Sequence, residues 1–223
     1  MYYSAAFFLR SYTFLFLGYK PAATTAAFDP AYIDVVRKIV NHFPIPPMEY
    51  SNQTIEDLLH HFKADIGEDF LKYKNHVYRV FLNCILHDTD PAHVEKYAIA
   101  GVFHDIGIWT DHTIDYLDPS IEQLKMYLAV HSLGHLTGEI SLMIYWHHKI
   151  SSYRGKYEHT VETFRKADWT DVTLGILTFG ADRKVVGRNR KLLGNEGFHV
   201  FLIKKIFQNL LKKPLKPLPM FKI

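Results

Sequence analysis

The chain has 223 residues, of which 48% are hydrophobic and 15% aromatic, with a formal charge of +3 and a single cysteine. That length suits one domain with an appendage, and the apolar content excludes a disordered chain. Lone Cys84 excludes an intrachain disulfide and a cysteine-rich zinc site, and so small a net charge makes no case for nucleic acid.

The charge is unevenly spread. Positions 183–216 hold ten Lys/Arg and one acid, Glu196, which leaves 16 basic against 22 acidic residues elsewhere. Residues 1–28 are apolar, aromatic and free of acids until Asp29. Arg10 cuts their apolar run well short of the roughly 20 residues that span a bilayer. No basic stretch precedes the run, as a secretory signal would require. The segment reads as an N-terminal extension of a cytoplasmic protein, with an organellar presequence as the alternative, and a single domain is expected over 29–223.

Asp29-Pro30, Asp90-Pro91 and Asp118-Pro119 each pair a capping carboxylate with a proline suited to the first helical position, and predict three helix starts. The first runs over 31–43 and stops before Pro44. Thr54-Ile-Glu-Asp57 reads as a capping box that opens a short helix toward Phe62. A longer helix over 68–86 carries Tyr73, Val77, Val80, Phe81 and Cys84 on one stripe. Its other side carries Lys72, His76, Arg79 and Asn83. From Pro91 the next helix turns Val94, Tyr97, Ala98 and Val102 inward, reaches His104-Asp105 and stops near Gly107. Further helices are expected over 120–131, 139–149, 160–177 and 197–211. With no sustained period-two alternation, the reading is an all-α domain.

In the last of these helices Phe201, Leu202, Ile206, Leu210 and Leu211 fall on one side, with Lys204, Lys205, Lys212 and Lys213 among the rest. Such a basic amphipathic helix packs on its own domain or lies against an anionic membrane or a partner. Lys212 to Pro219 reads as an extended, proline-rich strap.

Consecutive helical residues point about 100° apart, so His104 and Asp105 can share one cation only from a helix end, where Gly107 lets the chain turn. His76 sits in a polar line that is either a solvated face or the wall of a cleft, in which Lys72 or Arg79 would hold an anionic substrate. Asp168 and Asp171 share a helix face, and Asp168, beside Ala167 and Phe164, is set where an unpaired carboxylate is costly and a cation would relieve the cost. Pairing with Arg165 or Lys166 is the competing reading, and suits the more external Asp171 better. The loop with Asp111, His112, Asp115, Tyr116 and Asp118 either contacts substrate or only joins two helices. His131 lies in the site or at an exposed helix end.

His76, then His104-Asp105 28 residues later, then Asp168 63 residues beyond Asp105, resembles the four-position motif of the HD-domain superfamily of metal-dependent hydrolases. The likeness covers about 75–177. The wider run, through Phe103-His-Asp-Ile-Gly-Ile-Trp109, Asp115-Tyr-Leu-Asp-Pro-Ser120, His147-His-Lys149 and Phe164-Arg-Lys-Ala-Asp-Trp169 to Gly197-Phe-His199, looks like a group described only as predicted phosphohydrolases. The resemblance implies a helical bundle in which His76, His104, Asp105 and Asp168 hold a divalent cation: Mn, Fe, Co, Ni, Mg or Zn. It implies an activated water that attacks a small, nucleotide-like phosphorylated substrate. Asp171, His147, His148 and His131 are candidates for proton transfer or a second ion, and Lys72, Arg79, Asp115, Tyr116 and Lys149 for substrate contact.

Two-metal relatives add two histidines between the His-Asp and the last Asp. Here His131 follows His104 by 27 residues, and His147 and His148 follow by 16 and 17 more, a shorter second step than that pattern. One ion is therefore expected, with His147 or His148 in the pocket wall. Two rival readings stay open: an oxygenase, lyase or hydratase similar to cyanamide hydratase, and a non-enzymatic binding module. A homodimer is left open.

Overall fold

The computed structural model describes residues 51–215 and 218–220, and contains ten α-helices, two 3-10 turns and no strand among them. The extension 1–28, its boundary and the helix expected over 31–43 lie outside the described residues.

Helix α1 (Gln53–His61) starts before the expected capping box, because Asn52 is the cap: its side chain accepts from the Ile55 amide at 3.1 Å. Thr54 falls inside the first turn, and its hydroxyl donates to Glu95. After α2 (Lys63–Ile66), Gly67 takes φ 58°, a backbone state that favours glycine, and a 3-10 turn (Gly67–Asp69) feeds α3 (Phe70–His87).

Helix α3 is the axis of the structure. Tyr73, Val77, Val80 and Cys84 are buried on one side, and so are His76, Arg79 and Asn83 on the other. The polar line is thus covered, by α8 (Glu158–Val172), α9 (Arg183–Leu192) and α10 (Phe198–Lys212). His76, Arg79 and Asn83 each have a partner across the interface, as burial requires; Asn83 Nδ2, for one, donates to the Ala167 carbonyl at 3.1 Å.

Helix α4 (Pro91–Phe103) begins as expected, with Pro91 in its first turn and the Asp90 side chain accepting from the Ala92 amide at 2.9 Å. A short α5 (Gly107–Thr110) follows, then α6 (Leu117–Val130). Asp118 is not the cap of α6. The chain turns into helix at Leu117, and Asp118 lies in the first turn. Helix α7 (Thr137–Trp146) packs against α4, α6 and α8. Helix α8 stops at Val172 instead of 177, because Leu174 and Gly175 adopt φ of 58° and 80° and the Gly175 amide donates back to the Thr170 carbonyl at 2.8 Å.

Helix α9 has no counterpart in the sequence reading. Asp182 caps it by accepting from the Lys184 amide at 2.7 Å. Helix α10 differs from the expected one-sided pattern. Phe198 is fully buried and Leu202 and Ile206 pack on the core, whereas Val200, Ile203, Phe207, Leu210 and Leu211 are all exposed. Beyond it Leu215 is exposed and Met220 is buried in the core. Among the described residues no helix is long and apolar enough to cross a membrane.

Candidate metal centre

Four helices bring histidines and carboxylates to one buried place. His76 comes from the middle of α3, His104 from the cap that ends α4, Asp105 from the turn after it, and Asp168 from α8. His147 and His148 follow the last residue of α7. His76 Nε2 stands 2.9 Å from His104 Nε2. Asp105 Oδ2 is 3.6 and 3.4 Å from those two nitrogens, and Asp168 Oδ1 is 3.7 and 3.8 Å from them. The other Asp105 oxygen faces His147 Nε2 at 3.5 Å, and Asp168 Oδ2 faces His148 Nδ1 at 3.9 Å. All of these side chains are essentially inaccessible except that of His148, which is 15% exposed.

The rings are aimed by what their far nitrogens do. His104 Nδ1 bonds the Gly101 carbonyl at 2.7 Å, His147 Nδ1 the Ile144 carbonyl at 2.6 Å, and His76 Nδ1 the Asp171 carboxylate at 2.8 Å. Carbonyls and a carboxylate only accept, so each Nδ1 carries the proton. In a neutral ring so anchored, Nε2 is left with a lone pair. The centre of the cluster is therefore lined by acceptors facing acceptors. Asp105 Oδ1, Asp168 Oδ2 and His147 Nε2 are buried with no hydrogen-bond partner, the 3.5 Å between His147 and Asp105 being too long.

The electrostatics follow from that crowding. Burial pushes Asp168 up to about 7, aided by the charges of Asp105 and Asp171 and opposed by His147 and His76. Burial likewise brings His104 down to about 3 despite the pull of Asp105. His147 moves the other way: burial would lower it, but the facing Asp105 carboxylate and the charge of Asp168 raise it. A proton on His147 and a cation among the carboxylates are thus alternative answers to the same negative charge.

His76, His104 and Asp168 place one donor atom each within 4.8 Å of one another, and Asp105, His147 and His148 do the same. Either group could hold a cation, and Asp105 stands between them. The one-ion expectation rested on the short step to His147, yet the turn after α7 carries both histidines to the cluster.

Gly107 has a different role from the one expected. It does not take a positive φ; instead a Cβ there would lie 2.7 Å from the Tyr116 carbonyl oxygen and 3.0 Å from the Ser120 amide nitrogen. The missing side chain lets the start of α6 close on the His104-Asp105 turn, where the Gly107 amide donates to Ser120 Oγ at 3.0 Å.

Several expected residues are placed elsewhere. Arg79 and Asp171 are spent on each other. Arg79 Nε and Nη2 grip both Asp171 oxygens at 2.7 and 3.0 Å, Arg79 Nη1 donates to the Leu193 and Gly194 carbonyls, and Arg190 Nη1 reaches Asp171 Oδ1 at 2.5 Å. Arg79 is 1% exposed and faces no opening for substrate. Asp171, expected to be the more external of the two aspartates, is as buried as Asp168. Burial would raise its carboxyl, but the hydrogen bond from His76 and the grip of Arg79 hold it well below the usual range. It positions His76 and is not placed to exchange protons.

His131 ends α6 on the exterior, against the Tyr127 ring and away from the cluster, so it belongs to neither group. Lys72 pairs with Asp69 at 2.6 Å, Lys149 Nζ lies over the Tyr145 and Trp146 rings at 5.1 and 5.7 Å, and Asp115 is exposed. Tyr116 is buried, with its hydroxyl 2.5 Å from His148 Nε2. Sequence reasoning missed Arg190 and quoted Phe198 only within the wider resemblance, with no role for its ring, which stacks on His76 with centroids 4.2 Å apart. The capping Asp182 ahead of Val186 was the one local sign of the helix that carries Arg190.

No family model matches the chain, and no curated protein or solved structure matches it either. The fold and site define an all-α protein with buried His/Asp groups that could hold a metal ion.

Proposed function

We propose that the chain is an HD-type, metal-dependent phosphohydrolase acting on a small, nucleotide-like phosphorylated substrate. One observation carries the reading: side chains far apart in sequence, in the order and spacing of that motif, converge as a buried set of acceptors with no donor among them. Such a set is costly to bury unless positive charge sits within it. His76, His104, Asp105 and Asp168 would hold the cation, and the chemistry it supplies is a water acidic enough to react near neutral pH and charge to polarise a phosphoryl oxygen.

The chain's own residues do the rest. Asp171, fixed by Arg79 and Arg190, and the Gly101 carbonyl orient His76 and His104 through their Nδ1–H groups, which sharpens both as ligands. The hydrogen-bonded pair Tyr116–His148 lies beside Asp168 on the least buried side of the cluster, where it can pass a proton to a departing alkoxide.

The test is elemental analysis of the purified chain together with phosphomonoester hydrolysis. Bound metal and activity, both lost in His104→Ala, are expected. A protein inert toward phosphomonoesters after reconstitution with each candidate cation would sink the reading. The second group, Asp105, His147 and His148, favours one rival, a two-iron oxygenase. Two equivalents of iron with oxygen consumption would select it.

A further inference from the structure

A separate cluster lies where α3 ends, and it shares no residue with the centre just described. Asp88 follows α3 and its carboxylate is 5% exposed. Its Oδ1 accepts from the Asp90 amide at 3.0 Å. Three groups converge on its Oδ2: the Tyr97 hydroxyl at 2.6 Å, His93 Nδ1 at 2.7 Å and His159 Nε2 at 3.0 Å. His93 belongs to α4 and His159 to the first turn of α8, so the nitrogens come from two helices. The donor atoms of Asp88, His93 and His159 lie within 4.8 Å of one another, and Asp90 Oδ2 is 4.0 Å from His93 Nδ1.

One carboxylate oxygen has two lone pairs, which Tyr97 and His93 already fill, so the His159 nitrogen is one donor too many for a simple hydrogen-bonded cluster. As ligands the same atoms are close to the spacing a small cation needs, the 2.7 and 3.0 Å from Asp88 Oδ2 to the two nitrogens having to open by a few tenths of an ångström. Tetrahedral zinc at about 2.0–2.1 Å from nitrogen and oxygen sets its ligands about 3.3 Å apart. The Tyr97 hydroxyl would keep the carboxylate oriented. The geometry points to a second, surface-accessible site for a borderline divalent transition cation such as Zn2+, Ni2+ or Co2+, with Asp88, His93 and His159 as ligands and solvent completing the shell. An ion there clips the start of α8 to the corner between α3 and α4.

The site is tested by equilibrium dialysis of the full chain against Zn2+, with elemental analysis, in an Asp168→Asn background that weakens the buried centre. One zinc equivalent is expected to remain, and His159→Ala or His93→Ala should weaken it about tenfold or more, as loss of one ligand does. His159 is 64% exposed, so its replacement leaves the fold intact. Equal zinc binding with and without His159→Ala would overturn the proposal. Because the readout is the zinc lost on replacing His159 or His93, neither of which belongs to the buried centre, its failure leaves the phosphohydrolase reading untouched.

Discussion

Arg79, Asp171 and Arg190 show why charge legible in a sequence does not reveal its use. Arg79 reads as a substrate anchor and Asp171 as an exposed carboxylate, because neither burial nor the partner from α9 is visible in the local pattern. Arg79 and Asp171 are buried and Arg190 partly so, and removing one weakens the hold on the others. Arg79→Ala should destabilise the protein by about 3 kcal/mol in urea unfolding, because Asp171 is left with only Arg190 and His76 and the Leu193 and Gly194 carbonyls lose their donor. Asp171→Asn weakens the hold on His76 and should lower metal affinity about 10- to 100-fold by titration with a chromogenic competitor, while hydrolysis falls in step. The ligand candidates themselves were legible, because their separations along the chain are a property of the sequence. Gly107 was legible as important for the wrong reason. Gly107→Ala drives a methyl into the backbone of α6 and should cost about 1–3 kcal/mol in thermal or urea unfolding, with no rescue from residues tolerant of positive φ such as asparagine.

Helix starts divide in an instructive way. Asp90 was legible because both parts of its signal, the capping carboxylate and Pro91, act locally. Asp118-Pro119 carries the same signal and fails, since the Tyr116 carbonyl accepts the Ser120 amide at 2.8 Å and the helix begins earlier to meet the Gly107 turn. Tertiary closure overrides the local preference there. Asn52 and Thr54 compete for one cap, and only the structure decides between them. Asn52→Ala should cost about 1 kcal/mol, whereas Thr54→Ala, which loses only an exposed bond to Glu95, should stay within about 0.5 kcal/mol of wild type in paired denaturation curves. Helix α9 escaped notice because Val186 and Asn189 are its only buried residues, too thin a stripe to register against six basic or glycine positions. It is nonetheless the element that delivers Arg190 to Asp171.

For the molecule as a whole, the acceptor cluster sets stability against ion supply. A carboxyl whose folded value is raised contributes fully below its unfolded value near 4, and the contribution is lost as pH rises through the folded value. Asp168, lifted to about 7 by burial, therefore makes the chelator-treated protein less stable as pH climbs from about 4 to above 7. Asp168→Asn should flatten that profile in pH-dependent denaturation and raise chelator-treated stability at neutral pH, even as it costs metal affinity. Conversely, a cation present at a hundred times its dissociation constant adds about 2.7 kcal/mol to the wild type, seen as a higher melting temperature that EDTA abolishes.

The stacking of Phe198 on His76 ties the first ligand of the cluster to the last helix. Phe198 follows His76 by 122 residues and Asp168 by 30, so its ring is the last part of the arrangement to be synthesised. The ring that seals His76 arrives only when α10 is made. An ion held there as proposed would be sealed in only once the C-terminal helix has packed, and a chain truncated before Gly197 should leave the His76 ring open to solvent.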